Sequence, residues 1–194
     1  MSPGPTPKGE LRRSALLDAA ERILGSAGGA ELTMRAVAET AGVRLGHLQY
    51  YFPARSDLVA ALLDRILAAS LERVAVLAEN GAGEAGGLGP ALDALLGEHE
   101  DLSLVRLFTE VWAMAAHDEA AARAVRAFYG RYADHVADFI GRRLPGLPAA
   151  TARSRAEVFV MVMEGSALFR SGIAGTPSPA AEARLRRVLR ELLE

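Results

Sequence analysis

Near the start of the chain, Gly46-His47-Leu48-Gln49-Tyr50-Tyr51-Phe52 sets an imidazole, a carboxamide and two phenols around two plainly apolar side chains. A glutamine carboxamide can meet adenine N6 and N7 with a paired donor and acceptor, and an imidazole can donate to guanine N7 or to a phosphate. A tyrosine ring can rest on a thymine methyl while its hydroxyl reaches a phosphate. The chemistry on offer is recognition of a nucleic-acid groove. The plainer alternative is that Tyr50 and Tyr51 pack other parts of the chain with their hydroxyls in water. Catalytic chemistry has less to stand on, since no Ser–His–acid set, glycine-rich phosphate loop or HExxH sequence occurs. The chain has no cysteine, which removes thiolate nucleophiles, disulfides and Cys-based metal sites. His99, His117 and His135 recur at even spacing, but helix breaks separate them. No catalytic residue, metal or cofactor is expected.

The elements that must position this segment read as helices. Ala and Leu dominate, β-branched residues are scarce, and no sustained alternation appears. Pro3, Pro5 and Pro7 make residues 1–9 an extended arm. A first helix is expected over 10–27, with Leu16, Ala20, Ile23 and Ala27 on one face, Leu17 and Leu24 beside it, and Gly28-Gly29 ending it. Thr33 is a good N-cap for a short helix over 34–41, which Gly42 breaks. A third helix over 44–51 stops before Pro53. Leu48 and Phe52 lie within about 40° on a helical wheel, with Leu45 nearby, so these three face inward. Gly46, His47 and Tyr50 point away, and Gln49 and Tyr51 flank them. Two short helices joined by a glycine turn make a helix-turn-helix, whose second helix enters the DNA major groove.

At this point the run from Leu32 to Leu63 resembles the DNA-binding region of the TetR family of bacterial transcriptional regulators. The residues that carry the likeness are Thr33, Ala41-Gly42-Val43, Gly46, Leu48, Tyr51-Phe52, Pro53, Arg55 and Leu58. The resemblance implies that Arg35 and Arg44 reach bases or phosphates. It implies that Leu45, Gly46, His47, Gln49 and Tyr50 form the base-reading surface. Tyr51, Arg55 and the Thr33 cap region are implied to hold phosphates. Two departures matter. Arg44 stands where the family often has a small capping residue, and Gln49 replaces a frequent Tyr, which should alter base preference.

Behind the head, helices are expected over 54–79, 90–98, 101–116, 118–143, 149–171 and 178–193, with a glycine-rich loop at 81–90. The result is an all-α, nine-helix, two-domain protein. Residues 10–53 form the three-helix DNA-binding head. Residues 54–194 form a larger ligand-binding and dimerisation bundle, and the helix over 54–79 connects the two. Residues 157–169 are apolar around nearly the whole helix apart from Glu157 and Glu164, so both sides must be covered. The family likeness implies a four-helix dimer interface here. Its residues would be Val158, Met161, Gly165 and Leu168, with Leu185, Val188, Leu189 and Leu192 from the last helix. Aromatic and flexible side chains suited to an apolar cavity are Phe108, Trp112, His117, Phe128, Tyr132, Phe159 and Met163, although plain core is the commoner role for such residues. Glu110 and Glu164 could pair with a cation, but surface or interface positions suit them better.

Charge distribution agrees with a nucleic-acid-binding head. Residues 1–56 hold seven basic and five acidic side chains, the remainder fifteen and nineteen. No apolar run reaches the roughly 18 residues of a membrane span. The opening residues lack the apolar core of a signal peptide, so a cytoplasmic protein with no membrane partner is expected. The reading is a homodimeric repressor that binds a palindromic operator and is released by a small apolar or amphipathic effector. A helical enzyme lacks a catalytic constellation, and a protein–protein adaptor would show no salt-dependent DNA affinity.

Overall fold

In the computed structural model, residues 7–80 and 88–194 are described, apart from the side chains of 73–80. They form nine α-helices: α1 (Pro7–Ala27), α2 (Met34–Thr40), α3 (Leu45–Tyr51), α4 (Arg55–Asn80), α5 (Leu88–Gly97), α6 (Leu102–Ala115), α7 (Glu119–Arg143), α8 (Ala149–Arg170) and α9 (Pro179–Leu193). A single 3-10 turn, Glu98–Glu100, separates α5 from α6. Among the described residues the only bridge outside helices joins Gly172 and Gly175.

Most boundaries follow the local chemistry. The Thr33 hydroxyl accepts from the Ala36 N–H at 3.1 Å, which satisfies an orphan donor at the start of α2. Gly42 takes φ +66°, and the Val43 N–H reaches back to the Ala38 carbonyl at 2.9 Å. That left-handed turn ends α2 and redirects the chain into α3. Gly28 ends α1 in the same way with φ +86°. Asp57 accepts from the Ala54 N–H at 2.9 Å and so closes the start of α4.

Two starts differ from expectation. The helix α1 begins at Pro7, inside the expected arm, because a proline's fixed φ and missing N–H suit a first turn. The same property lets α5 begin at Leu88, with Pro90 in its first turn, inside the expected 81–90 loop. Residues 1–6 of the arm and 81–87 of the loop lie outside the described residues.

By packing, the chain divides into Met1–Arg65 with Arg106–Val125, and Ile66–Val105 with Arg126–Glu194. This differs from a division at residue 53. The first part of α4 carries the buried side chains Leu58, Val59, Leu62 and Leu63, which group with the head. Leu107, Val111 and Met114 of α6 are buried in that unit as well.

In the first unit α1 packs on α2, and α2 on α3. The inner face of α1 is Leu16, Leu17, Ala20 and Leu24. The buried side lies toward the flanking Leu17 and Leu24, which bring more apolar area, while Ile23 is half-buried and Ala27 exposed. In the second unit α8 packs on α9, and α5 on α9. Their core joins Leu92, Leu96, Ile140, Phe159, Met163 and Leu189.

Phe52 is 2 % exposed and Tyr50 81 %, although only one residue separates them. Phe52→Ala should therefore lower unfolding stability by about 3–5 kcal/mol. Tyr50→Ala should stay within about 0.5 kcal/mol. Urea denaturation of the two variants checks both; a large loss at Tyr50 would contradict the orientation of α3.

Candidate functional site

The surface of α3 is built from its buried side outward. Leu48 has no accessible surface and Phe52 nearly none, so they anchor the helix in the head. Leu45 is half-buried. Arg13 of α1 sets its guanidinium 5.2 Å from the centroid of the Phe52 ring and covers the anchor from outside.

With that side fixed, Gly46, His47, Gln49 and Tyr50 are exposed, and Tyr51 is half-buried. A Cβ built on Gly46 would meet nothing within 4 Å, so its missing side chain leaves open surface. The Tyr50 and Tyr51 rings meet edge to face at 5.2 Å, and His47 lies 5.5 Å from Tyr51. These contacts order the row without covering it. Thr33, Arg35 and Arg44 are also exposed. Arg44 occupies the N-cap of α3 and makes no side-chain cap bond, so its guanidinium is not spent on the helix end.

Arg55 opens α4 and is half-buried, with its guanidinium 4.0 Å from Asp118. Asp118 in turn accepts from the N–H groups of Ala120 and Ala121 at the start of α7. Glu110 accepts from the Gly29 N–H at 2.7 Å. Its carboxylate would stand within 3.1–3.4 Å of a Cβ at Gly28 or Gly29, so Glu110 is engaged by a backbone donor at this turn. Neither link announces itself in sequence, because each joins a loop residue to one far along the chain.

The expected cavity residues separate. Phe108, Trp112 and His117 belong to the first unit, where the Phe108 and Trp112 rings stand 6.1 Å apart and His117 is exposed. Phe128, Tyr132, Phe159 and Met163 belong to the second. Phe128, Phe159 and Met163 have almost no accessible surface. A lining side chain exposes surface to the space it lines, so these three are core. Tyr132 keeps some surface.

The expected dimer residues behave differently again. Val158, Met161 and Gly165 are exposed along one side of α8, with Phe169 beyond them. Leu168, Leu185, Val188 and Leu192 are half-buried. Leu189 is closed off in its own unit's core, which removes it from the candidate interface.

Around Tyr132 lies a polar group that the sequence reading mostly missed. The Tyr129 hydroxyl donates to Glu164 at 3.0 Å. Burial, opposed by that bond and aided by Glu98, pushes the Glu164 carboxyl up to about 7. Burial, with Glu164 and then Glu98, also raises the Tyr132 phenol. His99, buried and near Arg170, is lowered to about 4. The available signal was Glu164 itself, an acid inside an apolar run.

These shifts carry opposite signs for stability. A carboxyl raised in the folded state loses its contribution as pH climbs from the ordinary value of 4.5 through about 7. A lowered histidine loses its contribution as pH falls from 6.5 towards about 4. Glu164→Gln should therefore gain on the parent by on the order of 3 kcal/mol between pH 4.5 and 8. Denaturant unfolding at the two pH values measures the change; a constant difference would mean that the carboxyl is not desolvated.

The model of the tetR family of bacterial regulatory proteins matches residues 16–62. An HTH-type transcriptional regulator in the dhlA 5' region of Xanthobacter autotrophicus is 31 % identical over 134 residues, 68 % of this chain and 66 % of its own length. The chain thus spans just under two thirds of that relative. The structure of a tetR family member from Streptomyces coelicolor is 30 % identical, covers 94 % of this chain and 98 % of its own, and has TM-score 0.66. The multidrug binding protein EbrR, in complex with ethidium, is 29 % identical over 94 % of this chain and 99 % of its own, with TM-score 0.66.

Proposed function

Because the chain belongs to the tetR family of DNA-binding transcriptional regulators, and is no enzyme, we propose that it is a homodimeric, effector-responsive repressor of a palindromic operator. The observation that carries the reading is the exposed row of His47, Gln49 and Tyr50 on a helix anchored by Leu48 and Phe52. In it, Gln49, His47 and Tyr50, with Leu45 and Gly46, meet base edges. Arg35, Arg44, Tyr51, Arg55 and the Thr33 end of α2 hold phosphates. Two such helices in a dimer read half-sites about 34 Å apart.

Support for a dimer comes from α8, where Val158, Met161 and Phe169 are 44 %, 68 % and 51 % exposed on one stripe. A row of large apolar side chains in water is costly unless covered, and a second copy covers it symmetrically. Support for an effector comes from the polar group around Tyr132 and from EbrR, a similar protein with a small molecule bound. The helices α4, α6 and α7 have residues in both units and are the elements through which an effector would act. It must bind the DNA-incompetent state better, by about 1–3 kcal/mol. The regulator works where the DNA is, in the cytoplasm.

A mobility shift on the DNA upstream of its own coding sequence, across a salt series, tests the reading. Arg55→Ala should weaken binding to all sequences and reduce the salt slope by about one. Gln49→Ala should leave the slope and relax preference at one base position, at about 1–3 kcal/mol. Binding by both variants indistinguishable from the parent would sink the DNA interface as assigned.

A further inference from the structure

We propose that Asp118 is a positioning residue for DNA binding: its carboxylate holds the Arg55 guanidinium in the orientation in which it meets a phosphate. The proposal rests on the DNA-binding reading above and adds to it a residue far outside the helix-turn-helix.

Asp118 is itself held from several sides. It stands directly before α7, and its Oδ1 accepts from the N–H groups of Ala120 and Ala121 at 2.8 and 3.2 Å. Its own N–H donates to the Met114 carbonyl at 2.9 Å, and its carbonyl accepts from the Ala122 N–H at 2.8 Å. These bonds fix the backbone and one carboxylate oxygen, as a capping residue requires. Oδ2 is left over, and it is the oxygen that faces Arg55.

Arg55 is the first residue of α4. Asp57, the nearest acid in sequence, accepts from the Ala54 N–H, so its carboxylate is engaged at the start of the same helix. The Asp118 Oδ2 stands 4.0 Å from the Arg55 Nη2. That is beyond hydrogen-bond distance, so the contact is electrostatic and leaves the guanidinium donors for a ligand. The Arg55 side chain is 35 % exposed, so a phosphate can reach it while neighbouring atoms restrict its sweep.

A carboxylate beside a phosphate-binding arginine can compete with the phosphate or orient the arginine towards it. Two observations favour orientation. A competitor takes the donors that the phosphate needs, and at 4.0 Å Asp118 takes none. A competitor also repels the incoming phosphate. Here the charge lies against the N-terminus of a 25-residue helix, whose dipole and two N–H groups offset it. Such a carboxylate restricts the rotamers of the arginine at little electrostatic expense. Immobilising a long side chain that is free beforehand weakens binding by about two- to tenfold, which is the loss that Asp118 averts.

Asp118→Asn tests the assignment, because asparagine keeps the cap and removes the charge. Fluorescence anisotropy of the full chain is read on the duplex upstream of its own coding sequence and on an unrelated duplex of equal length. Asp118→Asn should weaken binding to both by about two- to tenfold, with thermal unfolding unchanged. In an Arg55→Ala background the same substitution should change affinity by less than about 1.5-fold, since nothing is left to position. Asp118→Ala should lower the unfolding temperature as well, which separates the cap from the contact. Tighter binding by Asp118→Asn would make the carboxylate a competitor and overturn the proposal. So would unchanged binding, or an equal loss in both Arg55 backgrounds, the mark of a general charge or folding effect. Arg55→Ala indistinguishable from the parent overturns it too, together with the Arg55 phosphate contact. The wider DNA-binding reading falls only if the parent binds neither duplex, and this proposal then falls with it.

Discussion

Burial of Leu48 and Phe52 sets the roll of α3, and the chemistry of the head depends on that roll. A helix of seven residues has no stability of its own. Its orientation is a consequence of which side chains reach the core. Rotating α3 by one position, about 100°, would bury Gln49 and expose an anchor. The Thr33 cap, the left-handed Gly42 and the Arg13 guanidinium over Phe52 each remove a degree of freedom from the same short element. Recognition chemistry here is the outer side of a packing solution.

That dependence explains which parts of the molecule were legible in the chain. Caps and breakers act within a few residues, so Thr33, Gly42 and Pro53 located α2 and α3 to within a residue. The outward set of α3 followed from the wheel for the same reason. Proline misled at Pro7 and Pro90, where a residue that stops helices elsewhere starts one. The body was less legible because side chains of one type divide by depth. Phe159 and Met163 look like lining residues and are core, while Leu189 looks like interface and is core too. Depth depends on which helices meet, and periodicity within one helix does not report it.

The grouping of residues 106–125 with the head has a physical basis in two kinds of contact. Leu107, Val111, Met114 and Ala121 supply burial, which is strong but indifferent to register. Glu110 on the Gly29 N–H and Asp118 beside Arg55 supply direction. The first holds the turn that leaves α1. The second touches a side chain assigned to a phosphate. For the proposed phosphate contact, an arginine held by a carboxylate is oriented in advance, which would lower the entropy lost on binding at the expense of a weak, partly exposed pair.

The helix α8 meets three demands that a single apolar stripe could not. Its inner arc, Ala156, Phe159, Met163 and Ala167, fills the core of its unit. Its outer arc, Val158, Met161, Gly165 and Phe169, lies in solvent. Glu164 sits on the flank between them, bonded to Tyr129. A leucine at that position would lengthen the apolar surface, remove a desolvated acid and favour folding at neutral pH. The carboxyl therefore opposes the stability of the helix that carries it, as functional groups in apolar surroundings commonly do.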